Sequence, residues 1–153
     1  MTMAAATSLR PRISIPDRAP LSAPQKALLA VEIVAEYGRA RWWLGRRGLP
    51  AALEALRGRS PRERLGSDAA ERRRALRLAG IVTRTLAAVP AVQASCLMRS
   101  LVLTGMLARR GVGTSLIVAV KGVEDFGAHA WIEWAGQPLL PPAENRYERL
   151  AAL

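Results

Sequence analysis

The chain has 153 residues, half of them hydrophobic, and a single cysteine. It is long enough for one domain with a real core, too apolar for wholesale disorder, and unable to close an internal disulfide. Its 23 basic residues against 12 acidic ones give a net charge of +11, and all but Lys26 and Lys121 of the basic residues are arginine. That balance favours acidic partners. The arginines are nevertheless scattered from Arg10 to Arg149, as on a solvated surface. Paired Cys/His zinc spacing, an aromatic RNP-like strand and a Gly-rich phosphate loop are all missing, so no specific nucleic-acid binding is expected. One Cys and one His fall short of a metal site, and no cofactor is called for. A reducing, cytoplasmic setting fits the cysteine usage.

Residues 1–22 carry Pro11, Pro16 and Pro20 among Arg, Ser and Ala, and read as a flexible arm. Arg10, Arg12, Asp17 and Arg18 interrupt any signal-peptide core, and no stretch offers the roughly 18 uncharged apolar residues of a membrane span. A single domain is expected over 23–153, helical over 23–90, with a core that could carry chemistry over 91–150. A first helix opens at Ser22-Ala-Pro24 and runs to about Leu44, with Leu29, Ile33, Tyr37, Ala40 and Leu44 at helical spacing. Trp42 and Trp43 at its end read as packing anchors, with a docking role as the alternative. A short helix follows, with Pro50 in its first turn and an end near Gly58. Ser60-Pro-Arg-Glu63 has the pattern of a capping box. Asp68 and Glu71 open a longer helix striped by Leu78, Ile81, Val82, Leu86 and Val89.

Pro90 stops that helix, and a new one begins near the cysteine. From Leu97 to Leu107 it is apolar on most faces, the mark of a buried helix, and Gly111 after Arg109-Arg110 suits its C-terminal end. The pattern then changes. Thr114 to Lys121 is β-branched and bounded by glycines, Ala128 to Trp134 reads as a second strand, and Gln137 to Leu140 as a third after an Ala135-Gly136 turn. Period two places His129, Trp131 and Glu133 on one face, and Ala130, Ile132 and Trp134 on the other. The fold class is α+β: a helical N-terminal half, then a buried Cys-bearing helix packed on a small antiparallel sheet.

Cys96 stands at the start of the buried helix, where the helix dipole favours the nucleophilic thiolate. A free cysteine is also a common buried small hydrophobe, and a lone histidine is often structural. What lifts the pair is their order: Cys, helix, Gly, strand, loop, strand, His. An imidazole can take the thiol proton and later protonate a leaving amine, and amides at the helix start could stabilise an oxyanion. Gln93 is a weaker oxyanion candidate, since an exposed glutamine explains it as well.

Cys96-Leu-x-Arg99-Ser-Leu, then Leu107-x-x-Arg-Gly111, then Phe126-Gly-Ala-His-Ala-Trp-Ile-Glu133 with Gly136 after it, resembles the transglutaminase-like leader peptidases of lasso-peptide biosynthesis, in their stand-alone protease form. The likeness covers about residues 70 to 150. It implies a transglutaminase-like (papain-like) fold and a cysteine peptidase that removes the leader of a ribosomally made precursor, in a pathway of antibiotic-type peptides. Cys96 would be the nucleophile and His129 the general base and acid. The family's third residue is an acid about twelve positions past the histidine. Here position 141 is Pro, followed by Pro142, and Glu144 is the replacement the resemblance suggests, with Asn145 next. Glu133 suits that role less well. The implied partners are the precursor's leader, a separate leader-recognition protein and an ATP-dependent lasso cyclase. A non-catalytic adaptor of the same fold, motivated by Pro141, and an acyl or amide transferase using the same Cys–His chemistry are the alternatives.

Overall fold

The computed structural model describes residues 19–58, 69–92, 94–120, 127–140 and 147–153. Three helices, α1 (Ala23–Arg57), α2 (Ala69–Ala88) and α3 (Cys96–Ala108), precede four strands: β1 (Ser115–Val120), β2 (Ala128–Trp134), β3 (Gln137–Pro138) and β4 (Glu148–Ala152). Most of the expected arm (1–18), the Ser60–Glu63 capping pattern and Asp68 lie outside the described residues. At the arm's end, Leu21 is buried in the core and Ser22 caps α1.

Ser22 and Gln25 form a reciprocal capping box. Ser22 Oγ accepts the Gln25 amide at 3.5 Å and Gln25 Oε1 accepts the Ser22 amide at 2.9 Å. Leu29, Ile33, Tyr37 and Ala40 then face inward at helical spacing. The two expected helices run end to end within α1, separated by a kink at Gly48. The first piece continues past Leu44 and α1 breaks only at Gly48, whose φ of 75° is a left-handed conformation that glycine adopts without strain. Pro50 opens the second piece, which buries Ala52, Leu53 and Leu56. Helix α2 contributes Ala75, Leu78, Ala79, Val82 and Leu86.

These stripes close around α3. From Met98 to Ala108 every residue of α3 except Arg99 is buried, as its all-round apolar sequence requires. Its end is sealed by Gly111, at φ 81°, with the Val112 amide reaching back to the Leu107 carbonyl at 3.0 Å. Just before that end, two basic residues tie α3 to α1. Arg110 grips Glu32 with two bonds of 3.1 and 2.8 Å, and Arg109 Nη2 lies 2.9 Å from Oε2 of Glu36, a carboxylate only 1 % exposed. Arg39 sits 3.3 Å from the other oxygen of Glu36. A carboxylate so buried is tolerated only when paired.

The sheet is antiparallel, in the order β3-β2-β1-β4. β1, β2 and β3 form the expected meander. β3 is shorter than expected, only Gln137–Pro138, because the proline offers no amide for pairing, although the Leu139 amide still reaches the Ile132 carbonyl at 2.9 Å. β4 was not expected at all; it adds to the free edge of β1 across a register shift between Val118 and Ala119. Arg57 at the end of α1 locks that edge by donating to the carbonyls of Thr114 (3.0 Å) and Leu153 (2.6 Å). The β2–β3 turn puts both Ala135 (φ 49°) and Gly136 (φ 74°) in left-handed conformations. Alanine is strained there, so Ala135→Gly is expected to raise stability by about 0.5–1 kcal/mol, read as a higher urea midpoint at unchanged slope.

One face of the sheet, with Leu116, Ala130 and Ile132, joins the core that α3 fills. The other face carries a smaller cluster of Ile117, Ala119 and Trp131, with Leu140 and Tyr147 against it.

Candidate active site

Cys96 is the first residue of α3, half-buried and packed against the margin of the main core. Its position is fixed by Ser95, the N-cap, whose hydroxyl accepts the Met98 amide at 3.3 Å and whose carbonyl accepts the Arg99 amide at 3.0 Å. The first-turn amides of Cys96 and Leu97 are left without a protein partner among the described residues. Two N–H groups beside the thiol, at the positive end of a buried helix, are a ready oxyanion site.

His129 is the second residue of β2, half-buried and paired across the sheet with Ala119. Its ring lies between two aromatics, with centroids 6.1 Å from Trp131 and 5.3 Å from Tyr147. Burial pushes its pKa below the usual imidazole value, because the charged form loses water.

The contact that joins the two elements comes from Ser100, one helical turn after Cys96, whose hydroxyl donates to the Ala130 carbonyl at 3.2 Å. The first turn of α3 is thereby held against the start of β2, next to His129. The side chains themselves are not bonded. Strand alternation sends Ala130 toward α3 and His129 toward the aromatic cluster, and among the described residues no hydrogen bond joins Cys96 to His129.

Glu133 lies on the same face as His129, as the strand period requires, but four residues along β2, roughly 13 Å away at the usual rise. It is 5 % exposed, and its Oε1 accepts both the Trp131 indole N–H at 3.1 Å and the Arg149 guanidinium at 2.5 Å. It therefore braces β2 against β4 and does not orient the imidazole. Glu144, Pro141, Pro142, Asn145 and Gln93 lie outside the described residues.

Two residues at this site carried no signal in the sequence: Ser95 is an ordinary serine until its bond is known, and Tyr147 sits in a charged stretch with no strand pattern. Ser100 entered only as a letter of the Cys96-Leu-x-Arg99-Ser-Leu motif, with no role until its bond to Ala130 is seen. A cavity of about 510 Å³ opens between α1 and the turn that follows α2, lined by Tyr37, Arg41, Pro90 and Ala91. No group of three His, Cys, Asp or Glu able to hold a metal occurs among the described residues, and no described helix is long and apolar enough to cross a membrane.

No curated protein and no solved structure matches the chain significantly. The family model described as the transglutaminase-like superfamily matches residues 27–152. That superfamily is one of Cys-based enzymes, commonly peptidases or transferases, and its expected α+β form agrees with helices packed on a small antiparallel sheet. A match running from α1 through β4, over a helix begun by the only cysteine and a strand carrying the only histidine, means that this chain belongs to the transglutaminase-like superfamily.

Proposed function

We propose that this protein is a cysteine peptidase that removes the leader from a lasso-peptide precursor. The observation that carries the reading is the docking of the Cys96 helix start on the strand of His129 through the Ser100–Ala130 bond, in a chain of this superfamily. In the proposed cycle, His129 takes the Cys96 proton and the sulfur attacks the carbonyl carbon of the scissile amide. The Cys96 and Leu97 amides hold the resulting oxyanion. Collapse to a thioester expels the core peptide's amine, which leaves with the proton from His129. Water, deprotonated by the same imidazole, then releases the leader and restores the thiol. Proton transfer requires hydrogen-bond contact, so the cycle requires the start of β2 to shift against the first turn of α3 when substrate binds, since rotation of the His129 ring alone does not change the face of the strand it occupies.

A neutral, desolvated imidazole supports the base role, since only the uncharged form accepts a proton. Glu144 is the proposed orienting acid. The reaction also needs a separate leader-recognition protein to present the precursor, and an ATP-dependent cyclase to consume the freed amine, in a reducing, cytoplasmic compartment.

The test incubates precursor, recognition protein and this protein, and weighs the products by mass spectrometry. Free leader plus free core is the expected outcome. A leader conjugated to an added amine would make the enzyme a transferase, and an intact precursor would overturn the assignment. Glu144→Gln should slow cleavage by about tenfold or more through a misoriented imidazole; undiminished turnover removes that residue from the mechanism.

A further inference from the structure

We infer that the solvent-facing side of the first piece of α1 is a docking surface for an acidic partner protein. This helix is apolar on two sides. Its inner stripe fills the core, while Leu28 (60 % exposed), Val31 (67 %), Val34 (40 %) and Trp42 (48 %) lie in water. Steps of three and four residues place Leu28, Val31 and Trp42 on one stripe, with Val34 at its margin. Single exposed apolar residues are ordinary, but a stripe over four turns marks an interaction surface.

The shape of this stripe favours a protein over a lipid surface. Exposed Ala35 and Gly38, the two smallest residue types, lie between Val31 and Trp42 with open space over Gly38, so the stripe dips in its middle. A dip flanked by side chains accepts a ridge from a partner helix. Trp42 is also held in advance, packed edge-on against Trp43 at 4.8 Å, which makes it a preorganised anchor of the kind that dominates interfaces.

Charge specifies the partner. The two acids in this piece of α1, Glu32 and Glu36, are turned toward Arg109 and Arg110. At its outer end, Arg46 stacks on Trp42 at 5.1 Å and Arg47 on Trp43 at 5.8 Å, and both arginines are exposed. The apolar stripe therefore has a basic border. A second copy of this chain would bring like charges together, whereas an acidic protein meets complementary ones.

The identity of the probe rests on the proposed function: it is the purified leader-recognition protein, titrated calorimetrically into the full chain. Wild type is compared with Val31→Asp and Trp42→Ala, each first checked for unchanged circular dichroism and melting temperature. The expected result is binding by the wild type that weakens as salt is raised, and a loss of about tenfold or more in both variants. Equal affinity in both variants, or no binding by the wild type, overturns the inference. So does Val31-dependent self-association in the ultracentrifuge, or Val31-dependent binding to phosphatidylglycerol vesicles without binding to the protein. The two proposals fail separately. A chain that docks the recognition protein through this face but leaves the precursor uncut refutes the peptidase reading alone, and one that cleaves with affinity unchanged in both variants refutes the docking surface alone.

Discussion

Gly105→Ala is expected to destabilise the protein by about 3 kcal/mol, although alanine in place of glycine inside a helix ordinarily stabilises by about 0.5–1 kcal/mol. The reversal comes from Glu36. A Cβ on residue 105 would overlap Glu36 Oε1 and lie 3.0 Å from its Cδ and 3.1 Å from a methyl of Leu56. The carboxylate can retreat only by leaving Arg109 and Arg39, and a buried acid separated from its cations is strongly penalised. The denaturant midpoint should fall at unchanged slope. A double-mutant cycle isolates the cause: in a Glu36→Ala background the space is free, so Gly105→Ala should become neutral or stabilising, a coupling of about 3 kcal/mol or more. A more stable Gly105→Ala protein in the wild-type background would show that α1 and α3 do not meet in this way.

The same contact marks the limit of what the sequence could tell. α3 was legible because three local signals agreed: a proline before it, apolar residues on most faces, and a glycine after two arginines. Its charged ties to α1 were not, because Glu32 and Arg110 are 78 positions apart and the arginines read as evenly scattered surface charge. Arg109 and Arg110 looked like a helix end and are also the clasp that allows Glu36 to be buried. Trp42 and Trp43 read as anchors, yet only Trp43 is partly covered while Trp42 is exposed. Adding a residue's bulk to a helix does not say which side of the helix the core is on.

The sheet divides in the same manner. β1 and β2 carry β-branched or alternating residues and were visible. β4 was not, since Glu148-Arg-Leu-Ala-Ala152 has helix-favouring composition and leaves Leu150 66 % exposed. It is a strand because the free edge of β1 supplies backbone partners, extended by two 2.8 Å bonds between Leu116 and Leu153, and this outweighs local preference. Its arrival also explains the aromatic setting of His129 and the engagement of Glu133, since Tyr147 and Arg149 both come with β4. Cys96 and His129 stood out because each is the sole residue of its kind and because their order, a helix start followed by a glycine and then a strand, is local pattern that the sequence carries.

Cys96→Ala is expected to abolish leader cleavage, a loss of at least about 10⁴-fold, without unfolding the protein. The side chain is small, half-buried and at the core margin, and the features that begin α3 belong to Ser95, so the melting temperature should stay close to wild type. His129→Ala should cost about 10²–10⁴-fold, the usual share of a general acid–base. The pH profile supplies a check that a structural histidine would not satisfy. Burial lowers the His129 pKa below its unfolded value near 6.5, so the neutral base persists as the solution is acidified, and the acid limb of kcat/KM should have its midpoint below 6.5. Linkage gives the matching sign for stability. The unfolded chain binds this proton more readily than the native one, so the contribution of His129 to stability is complete above 6.5 and diminishes as pH falls through that value toward the native pKa. An undiminished Cys96→Ala protein would make the chain a non-catalytic adaptor of transglutaminase-like fold. An acid limb unmoved by His129→Ala would assign the proton transfer to another group.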